Sequence, residues 1–202
     1  MRKKILKTSL ITVIVILATY LIVWGVTCLV YPVGLAKVHA ELNDYKGATR
    51  FYEIDYKRNP TTSKLENLTE FSYMAKEHKK VVKYGEKLID DEDFDASVEN
   101  DFYIDLCCFI IGSKYSLGQS DTVEKAIEYA IVIENEKMVA FNYPCLDLLI
   151  LKADDNQDKQ TLIDIENALL AVQADMTELD KELKTKLGEE LRYIQLILSQ
   201  YN

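Results

Sequence analysis

Proline and glycine are scarce, with three prolines and seven glycines among 202 residues. The chain therefore lacks the turn chemistry that many short strands require, which argues against an all-β fold. Histidine occurs only at His39 and His78. No His-Glu-x-x-His or Cys-x-x-Cys spacing exists, so a zinc site has no support, and both histidines read as surface or helix-packing residues. No Gly-x-Gly occurs, nor any phosphate-cradling glycine loop, nucleotide motif or Ser-His-Asp set. Basic residues are the minority, 24 against 33 acidic, giving a net charge of −9. That balance argues against binding nucleic acid through its phosphates. No cofactor, metal or nucleic acid is expected, and the chain does not read as an enzyme.

The charge is unevenly placed. Residues 1–36 carry Arg2, Lys3, Lys4 and Lys7 and no acid, so the remaining 166 residues hold a net charge of −13. From Thr8 to Ala36 nothing is charged, and Ser9 to Val30 is almost wholly apolar. As a helix that run extends roughly 33 Å, enough for a hydrocarbon core of about 30 Å. A single transmembrane helix is expected over 9–31, after a basic stub at 1–8. Trp24 and Tyr31 fall near its far end, where amphipathic rings favour headgroups. Pro32 and Gly34 mark a break. The run is longer than the apolar region of a cleaved signal peptide, although Gly34/Ala36 and Val38/Ala40 leave cleavage open. Cys28 is poorly placed for lipidation because Thr27 precedes it. Four basic residues before the span and few after it put the amino terminus in the cytoplasm, and residues 35–202 outside it.

After residue 36 apolar residues recur at spacings of three and four, the helical period. Breaks fall at Asn43-Asp44, Asn59-Pro60-Thr61, Asp90 to Asp95, Gly118 to Asp121, Asn142-Tyr143-Pro144 and Asp154 to Asp158. Seven to nine helices are expected outside the membrane, with Asp121 and Thr177 as amino-terminal caps.

Within Asp44 to Pro60, aromatic Tyr45, small Ala48, the pair Phe51-Tyr52 and the closing Asn59-Pro60 resemble the second helix of a tetratricopeptide repeat. The pattern returns 33 residues on, with Val81 and Tyr84, preceded by a first helix carrying Leu65, Leu68 and Tyr73. A third unit carries Cys108, Ile111-Gly112 and Tyr115, then Ala126, Ile127 and Tyr129. The resemblance covers roughly residues 35–136. It departs from the family at Asp55, Val81, Thr69 and Asp93. It implies an all-α tetratricopeptide-like α-solenoid of antiparallel helix pairs, in which small residues let backbones approach and aromatics fill the gaps. Tyr143 to Ala174 reads as a degenerate fourth pair, and the charged helix from Thr177 as the closing cap.

Other constellations are weaker. Asp91, Asp93 and Asp95 alternate like a calcium loop, but Ala96 holds the glycine place and Phe102 that of the bidentate Glu; Asp154, Asn156 and Asp158 fail likewise. Both read as solvated helix connections. Cys107 and Cys108 sit in an apolar helix, where free cysteine acts as a small hydrophobe, and a bridge from either to Cys145 is conceivable but not required.

The expected function is a membrane-anchored scaffold binding a protein or peptide, with a basic ligand favoured by the carboxylates. By resemblance, first helices line the binding face, which places Glu66, Glu70, Tyr73 and Met74 toward a partner, with Phe109 and Ser113 from the next unit. Two alternatives remain. One is an accessory subunit of a membrane complex, packing through Ala18, Gly25 and Thr27. The other is a cell-envelope hydrolase with paired carboxylates in a deep pocket.

Overall fold

The computed structural model describes residues 2–95, 101–137, 144–175 and 181–201. Every regular element among them is an α-helix: α1 (Arg2–Val30), α2 (Pro32–Glu41), α3 (Tyr45–Arg58), α4 (Thr62–Met74), α5 (His78–Ile89), α6 (Asp101–Ser116), α7 (Thr122–Lys137), α8 (Pro144–Asp155), α9 (Lys159–Asp175) and α10 (Lys181–Gln200). The chain divides into two compact units, Met1–Ala75 and Lys76–Asn202. The second pair read from the sequence, Leu65 to Tyr73 with His78 to Asp93, falls on both sides of that division.

In the first unit α1 ends where Pro32, lacking an amide donor, opens α2 as its first residue. Large apolar side chains from Val13 to Val26 are 45–66% exposed, on every face of α1. Two of its hydroxyls are satisfied internally: Thr19 donates to the Val15 carbonyl and Thr27 to the Val23 carbonyl, each at 2.9 Å. Among the described residues no single helix is long and apolar enough to cross a membrane. Thr12–Cys28 and Pro32–Glu41 reach that length and composition only together, bent by 96° at the break.

Beyond the bend, α3 packs against both α2 and α4. Asp44 caps α3 by accepting from the Gly47 amide at 3.0 Å, and Thr61 caps α4 from an extended backbone. Ala48, Leu65 and Leu68 are fully buried. The Tyr52 ring stacks on Phe71 with centroids 4.8 Å apart, filling the space between α3 and α4. Asp55, an acid where the repeat family prefers a small apolar residue, reaches Lys64 on α4 at 3.0 Å. That cross-helix ion pair is its structural account.

In the second unit α6 packs against α5, α7 and α8, while α7 also meets α8 and α9, and α10 lies on α9. Contacts between next-but-one helices, α6 with α8 and α7 with α9, are what stacked pairs produce. Val81, Ile111 and Ala126 are fully buried, and Tyr84 and Tyr129 nearly so. The Tyr115 hydroxyl crosses to the α8–α9 turn, 3.3 Å from Asp158 Oδ2. The closing helix is tied down by Tyr201, whose hydroxyl donates to Asp154 Oδ1 at 2.9 Å.

Two expected caps need separate treatment. Asp121 immediately precedes α7, but its carboxylate turns back to Lys114, and the adjacent Thr122 hydroxyl donates to the Gln119 carbonyl instead. The stronger, charge-assisted bond takes the carboxylate away from the helix end. Thr177 lies outside the described residues.

Candidate partner-binding faces

Four of the six expected contact residues share α4. Glu66, Glu70 and Tyr73 follow one another at intervals of four and three, so they stand on one face, with Met74 beside them. The first three are half-buried, while Met74 is 43% exposed. Neither carboxylate has a salt-bridge partner among the described residues. Glu70 is close enough to Tyr52 to help burial raise its hydroxyl above the ordinary value, burial being the larger cause. The face thus combines two carboxylates with an aromatic and a thioether.

Phe109 and Ser113 belong to α6 in the other unit. Phe109 is half-buried and meets Phe102 edge-on, with ring centroids 6.5 Å apart. Ser113 has no exposed surface. Its hydroxyl lies 3.2 Å from His78 Nδ1, so it serves the α5–α6 contact and offers nothing to a partner. The reason is geometric: Ser113 lies on the side of α6 that faces α5, whereas the family resemblance implied an open face. His39 is likewise occupied, bonded to Asp44 Oδ2 at 2.7 Å and set against the Phe51 ring. The Gly47 amide, then His39, hold the Asp44 carboxyl below the usual range.

The acid-rich connections serve the backbone. Asp158 caps α9 through the Thr161 amide at 3.1 Å, and Asp91 accepts from the Asp93 amide at 3.1 Å. No cluster of three His, Cys, Asp or Glu side chains able to hold a metal occurs among the described residues.

Three features were not read from the sequence. Lys114 is buried, with its Nζ 2.8 Å from both Glu86 on α5 and Asp121 before α7. Burial opposes its charge, but the bonds from Asp121 and Glu86 outweigh that and hold the pKa above its ordinary value. Its signal was available: it is the one charged residue in the second half of α6. Glu190 on α10 is pushed up to about 7, first by burial and then by Asp147 and Glu189. Asp147 on α8 is itself raised by burial. Nothing in the spacing of two acids 43 positions apart could have paired them. Finally, Lys76, His78, Lys79, Lys80 and Leu117 line an open cleft together with Glu77, which pairs with Lys80 at 2.9 Å.

The class these observations define is an all-α array of packed helices, compatible with a helical repeat. Comparison of the chain with family models, with characterised proteins and with solved structures finds no match.

Proposed function

We propose that the chain is a membrane-anchored, tetratricopeptide-like scaffold whose helical body binds a protein or peptide outside the cytoplasm through the α4 face. Support for the anchor is the exposure of α1 on every side. A helix apolar all round belongs in a protein interior or a bilayer, and the large apolar side chains of α1 between Val13 and Val26 are 45–66% exposed. The Thr19 and Thr27 hydroxyls return to their own helix, as a low-dielectric surrounding demands. The basic residues in its first turns, Arg2, Lys3, Lys4 and Lys7, favour a cytoplasmic amino terminus.

The observation that carries the binding role is the α4 stripe of Glu66, Glu70, Tyr73 and exposed Met74. Tyrosine and methionine supply adaptable contact area, and two carboxylates without ion-pair partners favour a basic ligand. The test places a photocrosslinking residue at Met74 in the full-length chain in membranes. One dominant adduct is expected, and Glu66→Lys with Glu70→Lys should diminish it strongly. An adduct unaffected by the double change rejects the face. Orientation is tested separately: protease added to spheroplasts should digest the body, and complete protection overturns the topology.

A further inference from the structure

We propose that Cys108 and Cys145 are a redox pair that closes into an intrachain disulfide joining α6 to α8. Two observations carry this. The sulfurs lie 3.5 Å apart, on helices packed directly against each other. The pair is also asymmetric: Cys108 is half-buried, whereas Cys145, like Cys107, is fully buried. All three are free thiols.

The asymmetry assigns the roles. The hydrogen bond with Cys145 lowers the Cys108 thiol below its ordinary value, against the effects of burial and of Asp105 and Asp147. Hydrogen bonds with Cys107 and Cys108, together with burial, raise Cys145. Cys108 is therefore the thiol that an external reagent reaches and that attacks first. The acceptor is an external disulfide, either low-molecular-weight or on a protein. The Cys108 thiolate attacks one of its sulfurs, the acceptor bond breaks, and the departing thiolate takes up the proton that Cys108 released. Cys145 then loses its proton, attacks Cys108 Sγ and expels the second acceptor thiol, which is protonated. Two protein thiols become one disulfide, and the acceptor receives both electrons and both protons. Cys107 is sealed from the acceptor and remains a buried thiol.

Between Cys108 and Cys145 lies the whole of α7, so the bridge would tie the first helices of two successive pairs around it. The supply of acceptor rests on the extracytoplasmic location proposed above, whereas the geometry of the pair does not. Two experiments keep these apart.

Reduced, detergent-solubilised full-length chain is treated with glutathione disulfide, alkylated and mapped by peptide mass spectrometry. The expected product has lost two hydrogen atoms and joins Cys108 to Cys145, with Cys107 alkylated once the chain is denatured. Cys108→Ser should consume thiols at least about tenfold more slowly, while Cys107→Ser keeps the wild-type rate. A wild-type link between Cys107 and Cys145, a stable glutathione adduct, or an unchanged rate in Cys108→Ser overturns the pairing. Peptide mapping of the wild type decides the matter even if a serine variant fails to fold. In cells, thiols alkylated before lysis should reveal the bridge. Free thiols there, with the bridge forming in vitro, leave the pair standing and reject the location.

Discussion

Gly85 and Gly112 are both buried in helices of the second unit, and replacing each by alanine should change stability in opposite directions. A Cβ at Gly85 would lie 2.8 Å from Ile110 Cγ1, 3.1 Å from Ile110 Cδ1 and 3.3 Å from Leu106 Cδ1. Both neighbours are β-branched or γ-branched, fully buried and without room to retreat. Overpacking of this kind costs about 1–3 kcal/mol, and alanine recovers about 0.5–1 kcal/mol in helix propensity, so Gly85→Ala should show a net loss of up to about 2.5 kcal/mol. At Gly112 the Cβ would meet only Lys152 Cε at 3.3 Å and Leu148 Cδ2 at 3.5 Å. These are the ends of flexible chains, so the propensity gain survives and Gly112→Ala should stabilise by up to about 1 kcal/mol. Urea unfolding of the detergent-solubilised chain gives the sign, and hydrogen exchange of α5 and α6 amides localises it. Combining Gly85→Ala with Ile110→Ala should show coupling above about 0.5 kcal/mol, because the second change removes the atoms that obstruct the first. Two stabilising alanines, or no coupling, would refute the close approach of α5 to α6.

Other outcomes follow from the charges and the turns. Lys114→Met should destabilise by about 1–3 kcal/mol in urea titrations, since Glu86 and Asp121 then face each other uncompensated. Because the folded pKa of Lys114 is raised, its contribution is complete below the unfolded value of about 10.5 and is lost as pH rises through the higher folded value, so the variant's deficit should shrink at strongly alkaline pH. Glu190 has the opposite consequence: an acid raised from 4.5 to about 7 costs stability progressively as pH rises through that interval. Glu190→Gln should therefore stabilise above pH 7 and be neutral below about pH 4 in thermal melts. Oxidation of Cys108 and Cys145 closes a loop of about 38 residues, which should raise unfolding free energy by about 4 kcal/mol over the reduced chain.

Much of the helical plan was legible because it rests on period and punctuation. Apolar spacing announced the helices, and Asn43-Asp44, Asn59-Pro60-Thr61 and Gly118 to Asp121 marked their ends where the structure has them. Small Ala48 and Ala126 and the aromatic Tyr52, Tyr84 and Tyr129 are buried as close packing of pairs requires. The site was harder to read. Which side of α6 carries Ser113 depends on where α5 lies, a tertiary fact that the spacing of a single helix does not contain. The same holds for Asp55, which looked like a departure from a packing rule until Lys64 supplied its partner. Pairings such as Cys108 with Cys145 or Glu190 with Asp147 arise only when distant helices are stacked.

The turns show how one backbone closure recurs with little repetition of residue type. Asn43, Lys76, Gly118 and Gln157 all hold φ between 55° and 63°, and three of the four close helices in the same way. Each donates its amide to the carbonyl three residues back, and the next residue reaches five back: Asp44 to His39, Gln119 to Lys114 and Asp158 to Ala153. This left-handed closure leads from α2 into α3, from α6 into α7 and from α8 into α9, the same place in each pair. Only one of the four positions uses glycine, and lysine or glutamine held there costs about 1 kcal/mol or more. Gln157→Gly should therefore raise the melting temperature without moving a helix. One backbone closure thus recurs at three turns while the residues that form it differ at each.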